Sequence, residues 1–262
     1  MICAIVPAKN EAGRATALLQ KLATLPINQI IFIANGCRDT TVYEITKLHL
    51  PNLQFFYFYD SLGIDIPRAI GAKVALALGA DVTLFVDGDM IGDFTDNLQE
   101  LIEAIALKHL DMALTNCYPV PIRHFERCNL TFKWRMNLNK ELHLDKKLGI
   151  ANPAHGPHAV SKKFLETISL HELAMPPAAL ALARKRKLKI GLGTAISHTQ
   201  LGSSVKGQFH SEKIINTIVG DCLEGISIMR GEPRLRQWQG RDYIGYHAER
   251  RFDILDEFLT KL

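Results

Sequence analysis

Residues 84–90 read LFVDGDM. An apolar run suited to a buried strand stops at two carboxylates two positions apart, Asp87 and Asp89, whose like charges repel. Asp-Gly is favourable turn chemistry, so a solvated turn accounts for the pair. A divalent cation accounts for it too, because hard oxygen donors suit Mg²⁺ or Mn²⁺. The flanking sequence has to separate these readings.

Upstream, the chain alternates. Residues 2–6, 30–33, 53–59 and 82–86 are rich in β-formers, while 12–25, 42–48 and 67–78 carry apolar residues at helical spacing, with Pro67 suited to a first turn. Downstream, Thr95 is expected to cap a helix running to about His109, and residues 111–116 form a fifth strand. Strands separated by helices predict right-handed crossovers and an α/β fold with a mainly parallel central sheet flanked by helices. In such sheets ligands bind outside the carboxyl ends of the strands, where Asp87 and Asp89 fall. A hairpin at Asp87-Gly88 would need an immediate partner strand, whereas IGDFTDNLQELIEAI (91–105) reads as a loop and then a helix.

The second half is less regular. Residues 124–141 and 161–168 read as helices, NPAHGPHAV (152–160) as a loop, 176–187 as a helix and 188–192 as a short strand. A long helix is expected over 209–229. The closing RRFDILDEFLTKL (250–262) has amphipathic spacing, fit for a terminal packing helix or a dimer contact. With no repeat, low-complexity tract or linker, residues 1–262 are expected to form one domain.

Composition narrows the classes. The chain has 262 residues, 47% hydrophobic and 22% charged, as in ordinary globular proteins. Its net charge of +4 is a mild bias toward anionic partners and far short of a nucleic-acid signature; a phosphorylated small molecule satisfies it. Five scattered cysteines without a CxxC pair fit reduced thiols in a cytoplasmic protein better than a zinc site. No stretch reads as a membrane span, and the opening MICAIVPAKNE carries no basic leader. After the first strand comes PAKNEAG in place of GxGxxG, and GxxxxGK[ST] is absent, so NAD enzymes and P-loop nucleotidases lose ground. The segments just past the strands are polar instead: Asn10 and Glu11, Asn35 and Asp39, Asp65 and Arg68, Asp87 and Asp89. Four consecutive strand ends of this kind describe a site for a large polar ligand.

Here the chain resembles the family 2 glycosyltransferases of the GT-A fold, which use nucleotide-diphosphate sugars. The resemblance rests on IVPAKNEAGRATALLQKL (5–22), on IIFIANGCRDTT (30–41) where the family has a run like VDDGSTDGT, on PRAIGAKVALALGADVTLFVDGDM (67–90) where it has ARNxG and a strand ending in DxD, and on HGPHAVSKKFL (155–165). It implies a nucleotide-binding half (1–117), a sugar and acceptor half (118–210) and a helical C-terminal extension (211–262).

The same resemblance implies roles. Pro7, Ala8 and Glu11 would line the nucleotide pocket. Asn35 falls where an Asp usually reads the base, and since an Asn donates or accepts, both UDP- and GDP-sugars stay open; Ala34 replaces a second usual acid. Arg68 would face the donor diphosphate, the alternative being a salt-bridged residue in a first helical turn. Asp87 and Asp89 would hold Mn²⁺ or Mg²⁺, with Gly88 letting the backbone approach the ligand. His198 would be a third metal ligand favouring Mn²⁺, or else a hydrogen-bonded loop residue. Glu172 in LHELAMPP stands where inverting members place a catalytic base; it lacks the usual acidic pair, and a retaining enzyme would not need it. Gly156 would lie beside the transferred sugar, with His155 or His158 reaching hydroxyls or an acceptor phosphate. ARKRKLK (183–189) is a solvated helix end or a contact for an anionic acceptor or membrane surface.

The expected function is therefore metal-dependent transfer of a sugar from a nucleotide-diphosphate sugar to a small-molecule or glycan acceptor, without nucleic acid or transmembrane segment, with peripheral membrane contact and homodimerisation open. Two alternatives stand beside it: a sugar-phosphate nucleotidyltransferase, which lacks its usual early glycine-rich basic loop here, and a catalytically impaired nucleotide-sugar-binding protein.

Overall fold

A computed structural model describes residues 1–119, 129–203 and 207–261. The expected helix over 124–141 begins outside them; its described part is α5. The first half contains strands β1 (Ile2–Ala8), β2 (Gln29–Asn35), β3 (Leu53–Phe58), β4 (Val82–Phe85) and β5 (Met112–Asn116), separated by helices α1 (Arg14–Leu22), α2 (Thr41–Lys47), α3 (Ile66–Ala77) and α4 (Thr95–Ala106). The second half adds α5 (Leu130–Glu141), α6 (Asp145–Leu148), β6 (His158–Ser161), α7 (Lys162–Thr167), α8 (Pro176–Lys185), β7 (Ile190–Ala195) and α9 (Gln208–Arg230). A short hairpin comes next, β8 (Gln237–Trp238) with β9 (Arg241–Asp242), then α10 (Phe252–Lys261).

Seven strands form one sheet in the order β3-β2-β1-β4-β6-β5-β7. The pairs β1·β2, β2·β3, β1·β4 and β5·β7 are parallel, and β6 alone runs antiparallel, between β4 and β5. This is the mainly parallel sheet expected, with one correction: residues 158–160, read as loop, belong to β6, an interior strand of the sheet. Four residues opening on a histidine after a proline carry too little periodicity to announce a strand.

β1 explains the layering. Cys3 and Ile5 point into a core shared with α3, α8 and α9, while Ala4, Val6 and Ala8 point into a second core under α1 and α4. A strand buried on both faces needs the continuous apolar run seen in the sequence. Helix α3 lies unusually close to it: a Cβ added at Gly71 would stand 2.4 Å from Ile5 Cγ2. This approach sets Arg68, one turn earlier, beside the end of β4.

The C-terminal extension packs back on the domain. α9 lies against α5 and α8, and α10 against α3. Gly63, at φ +83°, passes so close to the backbone of Glu249 and Arg250 that no Cβ fits there, which locks the loop after β3 to the extension.

β6 also buries a titratable ring. His158 stacks on Phe85 at 4.7 Å, and burial, with Arg68 adding to it, lowers its pKa to about 3. An unfolded histidine titrates near ~6.5, so the stability supported by the neutral ring is complete above that pH and is lost as pH falls toward about 3. His158→Phe is expected to flatten the Tm–pH curve between pH 6.5 and 4 in scanning calorimetry; an unchanged slope would assign acid sensitivity to other groups.

Candidate active site

A cleft of about 500 Å³ opens at the carboxyl ends of β1 to β4. Pro7, Ala8, Glu11, Asn35, Arg68, Asp87, Gly88 and Asp89 all line it. The fold thus gathers into one wall residues from four strand ends, as a parallel sheet does. The opposite wall comes from the C-terminal extension: His210, Ile214, Thr217, Ile218 and Asp221 of α9, with Tyr246 and Glu249. No motif announces these residues, because they line the cleft only through the packing of α9 and the segment after it.

The centre of the first wall is an ion cluster. Arg68 Nη2 donates to both oxygens of Asp87 at 2.6 and 2.8 Å, and Nη1 donates to Asp65 at 2.6 Å. Burial works against the guanidinium charge, but Asp87 and Asp65 outweigh it and hold the group more firmly protonated than usual. Arg68 therefore anchors Asp87, where the resemblance placed it against a diphosphate. Burial pushes the Asp65 carboxyl up, with Arg68 and Arg250 opposing.

From there the ion pairs continue inward. Arg250 bridges Asp65 and Asp221, Arg236 bridges Asp221 and Glu224, and Arg234 bridges Glu224 and Glu172. Charges alternate all along this chain, which ties the cleft to the C-terminal extension and accounts for burying so many ionised groups.

Several expected roles change. Asn35 spends both ends of its amide on the backbone, accepting from Leu62 N at 2.7 Å and donating to Gly63 O at 3.0 Å. It positions the loop after β3, and the base-reading part is not supported. Gly88 approaches its own chain: its N–H donates to Pro7 O at 2.9 Å, and a Cβ would stand 2.8 Å from Ala8 Cβ. Gly156, at φ +77°, packs against Cys117 Sγ and does not line the cleft. Glu172 also lies outside the lining residues, in a short 3-10 helix, with Oε1 accepting from Arg234 at 2.8 Å. A base bound in this way does not stand at the cleft.

Asp89 is held at its backbone. Arg14 donates to Asp89 O at 2.5 Å and to Gly202 O, clamping the segment after β7 onto the loop after β4. Although this brings His198 onto the same edge, its ring stacks on His155 at 5.0 Å and on Tyr118 at 6.0 Å. Among the described residues no three His, Cys, Asp or Glu side chains assemble as a metal cluster, so Asp87, Asp89 and His198 do not stand together as three ligands. Two carboxylates on one cleft wall still fit a hard cation, since Mg²⁺ commonly takes one or two carboxylates and completes its shell with phosphate and water. Asp87 accepts from Arg68 on both oxygens yet retains further lone pairs.

No family model matches this chain, and no curated protein matches it by sequence. Solved structures do match. The strand order and flanking helices are those of the GT-A fold of nucleotide-sugar transferases. Among the matching structures are glucosyl-3-phosphoglycerate synthase from Mycobacterium tuberculosis, with 14% identity over 89% of this chain and 81% of that one (TM-score 0.61), and a mycobacterial protein, with 13% identity over 89% and 76% (TM-score 0.62). At such identities the likeness is one of fold.

Proposed function

We propose that this chain is a metal-dependent glycosyltransferase that moves a sugar from a nucleotide-diphosphate sugar to a small acceptor. The observation that carries this reading is the charge of the cleft. Among the described residues six carboxylates line it, Glu11, Asp65, Asp87, Asp89, Asp221 and Glu249; Lys9 and Arg68 line it too, while Arg14, Lys213, Arg236 and Arg250, outside the lining, pair with Glu11, Glu249, Asp221 and Asp65. A diphosphate entering the cleft would meet the carboxylates of Asp87 and Asp89 on one wall, where a divalent cation between it and the acids would relieve their repulsion.

Asp87 and Asp89 would hold that ion, which when bound neutralises charge on the departing diphosphate. Arg68 fixes the rotamer of Asp87 by donating to both of its oxygens. Pro7 to Glu11 would lie along the nucleoside, and Lys9, held to Ser61 Oγ at 3.0 Å, supplies a further cation at that rim. The acceptor oxygen bonds to the anomeric carbon, the bond from that carbon to the diphosphate oxygen breaks, and the acceptor proton leaves on the departing phosphate. A retaining course of this kind needs no carboxylate base and agrees with Glu172 being bound to Arg234 outside the cleft. The buried thiols Cys3, Cys37, Cys117 and Cys222 agree with a reducing, cytoplasmic setting. Among the described residues no helix is long and apolar enough to cross a membrane.

A thermal-shift panel of nucleoside diphosphates and their sugars, each with Mn²⁺, Mg²⁺ or EDTA, tests the reading. Ligand at 100 times its Kd stabilises the folded state by about 2.7 kcal/mol, an easily measured shift. One base class is expected to raise Tm only with metal. No shift with any nucleotide in either metal would reject the proposal.

A further inference from the structure

Among the described residues four arginines are nearly buried, and three are richly paired. Arg68 holds Asp65 and Asp87, Arg236 holds Asp221 and Glu224, and Arg250 holds Asp65 and Asp221. The fourth, Arg135 on α5, is 3% exposed and has no acidic partner among the described residues. Its Nε, buried, makes no hydrogen bond. A guanidinium cannot shed its charge by losing a proton, so one in the interior with no acid beside it among the described residues is suited to receive an anionic ligand.

Among the described residues no carboxylate acts on Arg135. Its charge is close enough to act on His155 and His198, and the groups nearest in its own field are Cys222, Tyr118 and Cys117. His155 sits between Tyr118, at 5.7 Å and 9° between ring planes, and His198, and its buried Nε2 has no partner. On the same loop Asn152, 1% exposed, keeps an unpartnered Nδ2. Besides Arg135 Nε, two buried polar atoms of the loop before β6, His155 Nε2 and Asn152 Nδ2, thus go without a partner. The rings come after β5 and β7 and before β6, on the acceptor side of the cleft, and Ala154, next to His155, lines the cleft itself.

We propose that Arg135, with His155, forms a subsite for a phosphate-type oxyanion carried by the acceptor. Its assignment to the acceptor rests on the glycosyltransferase reading; the anion site does not. A guanidinium fork suits two phosphate oxygens, and an imidazole N–H at Nε2 suits a third.

The test is a titration of inorganic phosphate into protein free of nucleotide and metal, followed by Tm and by the imidazole NMR signals of His155. Wild type is expected to show a saturable rise in Tm and shifted His155 signals. Arg135→Met should weaken phosphate binding at least tenfold, yet in phosphate-free buffer melt at the wild-type temperature or above, because a buried unpaired charge has gone. Arg135→Lys, which keeps the charge without the fork, should retain part of the response. No saturable effect in wild type, an undiminished effect in Arg135→Met, or a large fall in Tm of that variant without phosphate would each overturn the site. Repeating the titration with saturating magnesium nucleoside diphosphate separates sources. Unchanged phosphate binding is expected, and competition would assign the anion to the donor and reject the acceptor subsite. Since the first arms contain neither nucleotide nor metal, they stand or fall apart from the donor reading.

Discussion

Replacing Asp89 with asparagine is expected to abolish metal-dependent nucleotide binding and to lower sugar transfer by roughly 10²–10³-fold, the scale on which removing one electrostatic stabiliser of a developing anion acts. The substitution keeps size and shape and removes the formal charge. The backbone contact from Arg14 to the carbonyl of residue 89 survives any side chain, so loop and fold should persist. Tm without ligand should therefore stay near wild type, while the thermal shift with nucleoside diphosphate and Mn²⁺ or Mg²⁺ disappears. An undiminished ligand shift in Asp89→Asn would remove the central claim about this cleft.

The largest effect on stability is expected at Asp221. Its two carboxylate oxygens receive Arg250 at 2.7 and 2.8 Å and Arg236 at 2.6 Å, all three side chains being nearly inaccessible. Asp221→Ala leaves two buried guanidinium groups short of a counter-charge. Breaking one partner out of a buried ion network costs about 3–5 kcal/mol, and at this chain length each kcal/mol lowers Tm by about 2–4 °C, so the fall should be roughly 6–20 °C. The acid side adds a signature. Burial raises the Asp221 carboxyl, but Arg250 and Arg236 together hold it below the ordinary range. Its contribution is thus present above the unfolded value of about 3.9 and is lost as pH falls through the lower folded value. Wild type and Asp221→Ala should converge in Tm as pH drops there; a Tm difference under about 2 °C at pH 7 would show the network to be dispensable.

Much of the first wall was legible because local chemistry and chain direction suffice to place it. Apolar runs mark the strands, the polar residues Glu11, Asn35, Arg68 and Asp87 come at or after their ends, and a parallel sheet puts all such ends on one edge. Individual roles were harder to read. Asn35 and Gly88 are occupied by the loop after β3 and by the end of β1, partners far off in sequence. The position of Glu172 outside the cleft lining was hidden for a similar reason, since Arg234, which donates to it, lies 62 residues away.

The alternation of apolar runs and helical spacing by itself determined the α/β class, the parallel half of the sheet and the edge on which the cleft opens. These depend on period and direction, which are local properties of the chain. Tertiary structure alone decided the rest: the antiparallel β6 inserted between β4 and β5, the second wall supplied by α9, Tyr246 and Glu249, and the pairing of Arg68 with Asp87 while Arg135 stays without an acid among the described residues. The physical reason is that the energy of a buried charge depends on which opposite charge arrives beside it, and distant segments settle that only when they pack.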